Sequence, residues 1–185
     1  MKKVYIIAMV VAAVFIIALG LLYNGIITRD EAKNVTWAEV ENQMQRRAEL
    51  IPDLVNTVKG YAAHEKTVLE DVTKARSQWD AAKTVGGKIS ANEGIDTALG
   101  RLLVVVENYP NLKADSTFLK LMDELAGTAN RIAVARMRYN NAVMDYNVTV
   151  RGFPSNVIAR IFGYEICKDY FKAEQSAKVR PEVKF

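Results

Sequence analysis

One imidazole and one thiol bound the catalysis open to this 185-residue chain, because His64 and Cys167 are each the sole example of their type. A zinc-protease helix needs a second His four positions on, and "HEKTV" places Val68 there. A carboxylate-bundle metal site needs Glu three positions before His, and Tyr61 stands there instead. His64 and Glu65 are adjacent, so on a helix they point about 100° apart and form a poor proton-transfer pair. A hydrolase-type enzyme using His64 with a nearby carboxylate is the alternative reading. The favoured one is a polar position on or near a helix seam. Cys167 as a nucleophile would need His64 brought beside it by the fold; a small buried side chain is the simpler role. There is no phosphate loop, nucleophile elbow or Gly-rich dinucleotide turn. The expectation is therefore a non-enzyme with no catalytic residues, no cofactor and no metal site.

A different pattern is more informative. "YNNAVMDYNVTVRGFP", residues 139–154, repeats Tyr-Asn at a seven-residue interval and continues it to Phe153. Seven residues are nearly two helical turns, so Tyr139, Tyr146 and Phe153 share one face. The two Tyr read as core aromatics whose hydroxyls reach a rim. Asn140 and Asn147 then lie on the flank, where each can hydrogen-bond a neighbouring helix or loop. Arg47, Glu65 and Arg136 are charges inside apolar stripes, where an unpaired charge costs several kcal/mol. Two readings stay open: Arg136 pairs with Glu65 or another acid and so sets helix register, or both charges snorkel to solvent.

These residues must be positioned by helices. Apolar steps of three and four predict a first soluble helix over about 36–83, from Trp37 through Val72 to Trp79, with Asn34 or Thr36 as cap and Glu39 completing a capping box. Pro52 predicts a kink or restart near Leu50, and Gly60 is a second soft point. "VGGKISANEG", residues 85–94, reads as a turn. A second helix is expected over about 93–108, and a third from a Ser116 cap to Arg151, where Gly152 and Pro154 end it. Its stripe includes Phe118, Leu125, Ile132, Tyr139, Val143, Tyr146 and Phe153. A final helix is expected over 156–177, bent or divided at Gly163. Its apolar part, Val157 to Phe171, is either a fourth core helix, the favoured reading, or an exposed patch. The fold class is all-α: an antiparallel up-and-down four-helix bundle with long helices 1 and 3.

Ahead of it lies an uncharged run from Val4 to Tyr23. Twenty helical residues rise ~30 Å, the thickness of a hydrocarbon core. Residues 1–27 read as a membrane anchor and 28–185 as a single bundle domain. An uncleaved signal-anchor is favoured over cleavage after Gly20, because the run exceeds a usual signal-peptide core. Lys2 and Lys3 before the run favour a cytoplasmic N-terminus. The expected location is the bacterial inner membrane, single-pass, with the soluble domain on the extracytoplasmic side. The formal charge is +4 with acids and bases interleaved, and no nucleic-acid motif is present. Partners are expected to be the membrane and another envelope protein, or self-association, with no small-molecule substrate.

The chain resembles the LemA family along nearly all of its length. The resemblance rests on the N-terminal anchor, Tyr23-Asn24, "QRRAELIPDLVNTVKGYAAHE" at 45–65, "VTKAR" at 72–76, "NYPNLKA" at 108–114, the Tyr-Asn repeat, and the ending "PEVKF". It implies a membrane-anchored protein with an up-and-down four-helix bundle, and carries over no catalytic residue. The shared residues Arg46, Arg47, Pro52, Tyr61, His64, Glu65, Arg136, Tyr139, Asn140, Tyr146, Asn147 and Pro154 would preserve a fold or an interface.

Overall fold

The computed structural model describes residues 2–171. Its longest element is α1, Lys2–Tyr61, a 60-residue helix that contains the apolar run and the first soluble segment without a break. The expected capping box at Thr36 does not form. Thr36 lies inside the helix, and its hydroxyl donates to the carbonyls of Ala32 and Lys33 at 3.0 and 2.9 Å. The physical reason is cooperativity: between Tyr23 and Thr36 nothing stronger than Gly25 interrupts the chain, and propagating a formed helix is easier than starting another. The helix also runs through Pro52 without restarting, with Ile51, Leu54 and Val58 buried on either side of it.

The break comes later, at residues 62–65, so the expected first helix is divided. α2, Lys66–Ala81, follows. The predicted turn over 85–94 is instead the start of α3, Val85–Val106, and the reversal lies at 82–84. Thr84 caps α3 by accepting from the Gly87 N–H at 3.1 Å. A Cβ on Gly87 would sit 2.9 Å from that hydroxyl oxygen, so the glycine permits the close cap rather than ending a helix. The short α4, Pro110–Lys113, leads into α5, Ser116–Arg151. Asp115, one residue before the expected Ser116, is its cap and accepts from the N–H groups of Thr117 and Phe118 at 2.9 Å. Among the described residues no strand is present, and the all-helical architecture is that of a helical bundle.

α5 runs antiparallel to α1. Tyr61 meets Asp115 at 3.0 Å, Gln43 meets Arg131 at 3.1 Å, Glu39 meets Arg138 at 2.7 Å and Arg29 meets Asp145 at 3.9 Å. α2 packs on α3, and the pair covers the half of α1 away from the apolar run, meeting α5 through side chains alone. One core joins Met44, Ile51 and Leu54 of α1 to Val72, Leu102, Ile132 and Tyr139. A smaller one joins Ile26 to Tyr146, Val150, Ile158 and Ala159.

The last expected helix is mostly absent. α6, Ser155–Ile161, is short, and residues 164–171 are outside any helix, with a tight turn where the Tyr170 N–H donates to the Lys168 carbonyl at 3.0 Å. Gly163 makes the change of direction with φ of +76°, in the left-handed region that favours glycine. The tail expected to continue the helix past 171, with the "PEVKF" ending, lies outside the described residues. Phe153 is also not on the core face. It is 86% exposed, because the helix stops at Arg151 and the heptad register stops with it.

Candidate functional site

The Tyr-Asn repeat of α5 builds a clamp. Tyr139 is buried with its ring edge-on to Trp37 at 5.4 Å and to Phe171 at 5.8 Å. One residue on, the Asn140 amide donates from Nδ2 to the Phe171 carbonyl at 2.9 Å and accepts at Oδ1 from the Phe171 N–H at 3.0 Å. Asn147 does the same for Cys167, with both bonds at 2.8 Å. A carboxamide presents a donor and an acceptor side by side, so it satisfies both polar groups of one extended residue as a neighbouring strand would. Between the two, Tyr146 donates its hydroxyl to the Glu165 carbonyl at 2.9 Å. Seven helical residues rise ~10.5 Å, whereas four fully extended ones would reach ~13 Å; the turn in which the Tyr170 N–H donates to the Lys168 carbonyl at 3.0 Å shortens that span. The flank expected to bond a neighbouring helix or loop thus holds a non-helical segment.

Burial sets the chemistry of the two phenols. It pushes Tyr139 far above the ordinary tyrosine range, helped by its contact with the Cys167 sulfur. Tyr146 is pushed up to about 12, first by burial and then by the negative charge of Asp30. Lys33 lies over the Tyr146 ring at 4.2 Å. Both phenols stay neutral at physiological pH and serve as packing and hydrogen-bonding groups.

The seam charges meet at an acid that the stripe pattern did not single out. Asp96 of α3 bonds Arg47 of α1 through Oδ1, while its Oδ2 accepts from Asn92 at 3.0 Å and lies 3.8 Å from Arg136 of α5. Three helices are tied by one carboxylate. Arg136 also lies over the Phe171 ring at 4.9 Å, joining this centre to the clamp. Glu65 is elsewhere, at the α1–α2 connection, where it accepts from the Tyr109 hydroxyl at 3.0 Å and raises that phenol's pKa. Of the two open readings, Arg136 takes another acid, and a Glu65–Arg136 pair is not formed. Asp96 escaped sequence reasoning because no apolar stripe was read through its helix, so its charge interrupted no pattern.

His64 is exposed in the same connection and makes no hydrogen bond or ion pair among the described residues. Among these residues no three His, Cys, Asp or Glu side chains converge on a position that could hold a metal ion. Cys167 is half-buried, 3.8 Å from the Tyr139 hydroxyl.

The model of the LemA family matches residues 36–185, which include every bundle element from the middle of α1 onward. This chain belongs to the LemA family. Among its relatives are Magnetosome protein MamQ 2 of Paramagnetospirillum magneticum, 29% identical over 184 residues, covering 85% of this chain and 67% of that protein. Magnetosome protein MamQ of Magnetospirillum gryphiswaldense is 28% identical over 177 residues, 82% of this chain and 65% of its own length. Protein LemA of Metamycoplasma hominis is 26% identical over 157 residues, 79% and 70% respectively. In this chain the Tyr-Asn repeat lies within the region that the family model matches, and so do Asp96 and both of its arginines. One described helix, α1, is long and apolar enough at its N-terminal end to cross a membrane.

Proposed function

We propose that the chain is a single-pass envelope protein whose bundle is an interaction or scaffold module, non-enzymatic and held against the inner membrane on its extracytoplasmic side. The observation that carries this reading is a second apolar stripe on α5. Val134, Met137, Met144 and Val148 recur at helical spacing on the face away from the core, and all four are exposed. The opposite face, through Ile132, Tyr139, Val143 and Tyr146, already fills the bundle. Bundle closure therefore leaves this stripe unused. Methionines suit a docking face, because their unbranched thioethers adapt to a partner's shape. No comparable support attaches to the enzyme alternative, since His64 stands alone in solvent.

Photo-crosslinking amino acids at positions 137 and 144 of the full chain, in intact membranes, test the reading against the same probe at Lys120 near the far end of α5. Discrete adducts from 137 and 144 alone are expected, at twice the chain mass if the partner is a second copy and at another mass if it is a different envelope protein. Equal labelling from all three positions would reject a dedicated face.

A further inference from the structure

The bundle and the apolar run of α1 meet at Tyr23, and a further concentration of exposed apolar residues lies at the same height. The antiparallel register that pairs Arg29 with Asp145 brings the end of α5 down to Tyr23. There α6 docks through Ile158 and Ala159 onto Leu22, Tyr23 and Ile26. Phe162 lies 4.6 Å from the Tyr23 ring and Tyr164 lies 6.5 Å from it. Much of this turn still faces outward: Phe153, Val157 and Ile161 are 86%, 52% and 72% exposed, and Phe162 keeps 59% exposed beside the Tyr23 ring. Four large apolar side chains bare to solvent within ten residues are out of place on a water-facing loop. They are in place at the edge of a bilayer, where aromatic side chains collect.

Charge points the same way. Behind the apolar turn is an open groove of about 560 Å³, lined by Arg151, Arg160 and Lys168 with Glu165 as the one acid. Cations flanking an apolar crest beside a spanning helix match an anionic headgroup layer, whose attraction reaches only a Debye length from the surface.

We propose that the α5–α6 turn is a second membrane contact. Phe153, Val157, Ile161 and Phe162 enter the interfacial layer beside the spanning helix, and Arg151, Arg160 and Lys168 hold anionic phospholipid headgroups in the groove behind them. The inference rests on the reading of α1 as a membrane span and deepens it: the bundle leans on the bilayer at two points, which fixes its tilt and the direction in which the α5 stripe faces.

The test uses the full chain in phosphatidylcholine vesicles containing phosphatidylglycerol, with three single tryptophan substitutions and lipids spin-labelled near the headgroup. F153W reports the turn, F15W the span and L119W the far end of α5; native Trp37 and Trp79 give a constant background. Quenching of F153W but not L119W is expected. Labelled phosphatidylglycerol should quench F153W up to about fivefold more than labelled phosphatidylcholine. That preference should vanish in R151Q/R160Q/K168Q. An unquenched F153W beside an F15W quenched by labels deep in the acyl chain overturns the second contact and leaves the anchor standing. If F15W is also unquenched, both fall. Equal quenching by the two lipids overturns the headgroup site.

Discussion

Asn140 holds Phe171 by both of its backbone groups, donating to the carbonyl at 2.9 Å and accepting from the N–H at 3.0 Å. Asn147 repeats the arrangement two turns later on Cys167. Asn140 reads only backbone, which fixes the path of the segment without fixing its sequence, whereas Asn147 also donates to the Tyr170 hydroxyl at 2.5 Å. Asn140→Ala removes two hydrogen bonds and Asn147→Ala three, so a loss of about 1 to 3 kcal/mol is expected in each case. Amide exchange should speed up across residues 165–171 and stay unchanged at Val72 and Ile132. Uniform acceleration through the bundle would contradict a local clamp.

Tyr146 combines a buried ring with a bonded hydroxyl. Tyr146→Ala should destabilise the domain by about 3 to 5 kcal/mol, by analogy with buried Phe, and Tyr146→Phe by about 1. Its pH signature follows from the raised pKa. The phenol is neutral in both folded and unfolded chains below about pH 10, so its full contribution is present there. It is lost as pH rises toward about 12, where the folded phenol ionises. Urea titrations should show stability falling across that window, with a shallower fall in Tyr146→Phe. Identical slopes would mean that the hydroxyl is not buried.

Asp96 neutralises the buried Arg47 and approaches Arg136. Asp96→Ala should cost about 3 to 5 kcal/mol, because it strands a buried cation. In double-mutant cycles Asp96 and Arg47 should be strongly non-additive, whereas Glu65 and Arg136 should add within ~0.5 kcal/mol. The reverse result would restore the Glu65–Arg136 pair.

Much of the scaffold was legible. α5 was expected from 116 to 151 and is found there, because Pro110 isolates its start, Gly152 and Pro154 end it, and its stripe is regular between them. Buried Val72, Ile132 and Tyr146 followed from the same periodicity. Failures came where a local signal was overruled by something distant or cooperative. Thr36 and Glu39 resemble a capping box, yet helix propagation from the apolar run leaves no terminus to cap. The Gly86-Gly87 pair resembles a stop but lies in the first turn of α3 under the Thr84 cap. The apolar content of 164–171 fits a helix or an extended strap equally well, and only the carboxamides of α5 decide between them. Asp96 was invisible because its charged partners, Arg47 and Arg136, are on other helices.

Gly163 turns the chain from α6 into the strap at φ of +76°. Gly163→Ala should cost about 1 to 2 kcal/mol, felt at the strap rather than in the bundle. The melting temperature should fall slightly while the 165–171 amides lose most of their protection. Unchanged protection there would mean that the turn is not held in the left-handed region.

One unbroken helix joins the bundle to the apolar run at the N-terminal end of α1, and a connection without a hinge is predicted. Residue-resolved amide exchange of the full chain in bilayer nanodiscs reads this directly. Continuous protection from Leu22 through Asn24, Thr36 and Val40 is the predicted result. A run of fast-exchanging amides between Asn24 and Thr36 would show a hinge there and contradict it.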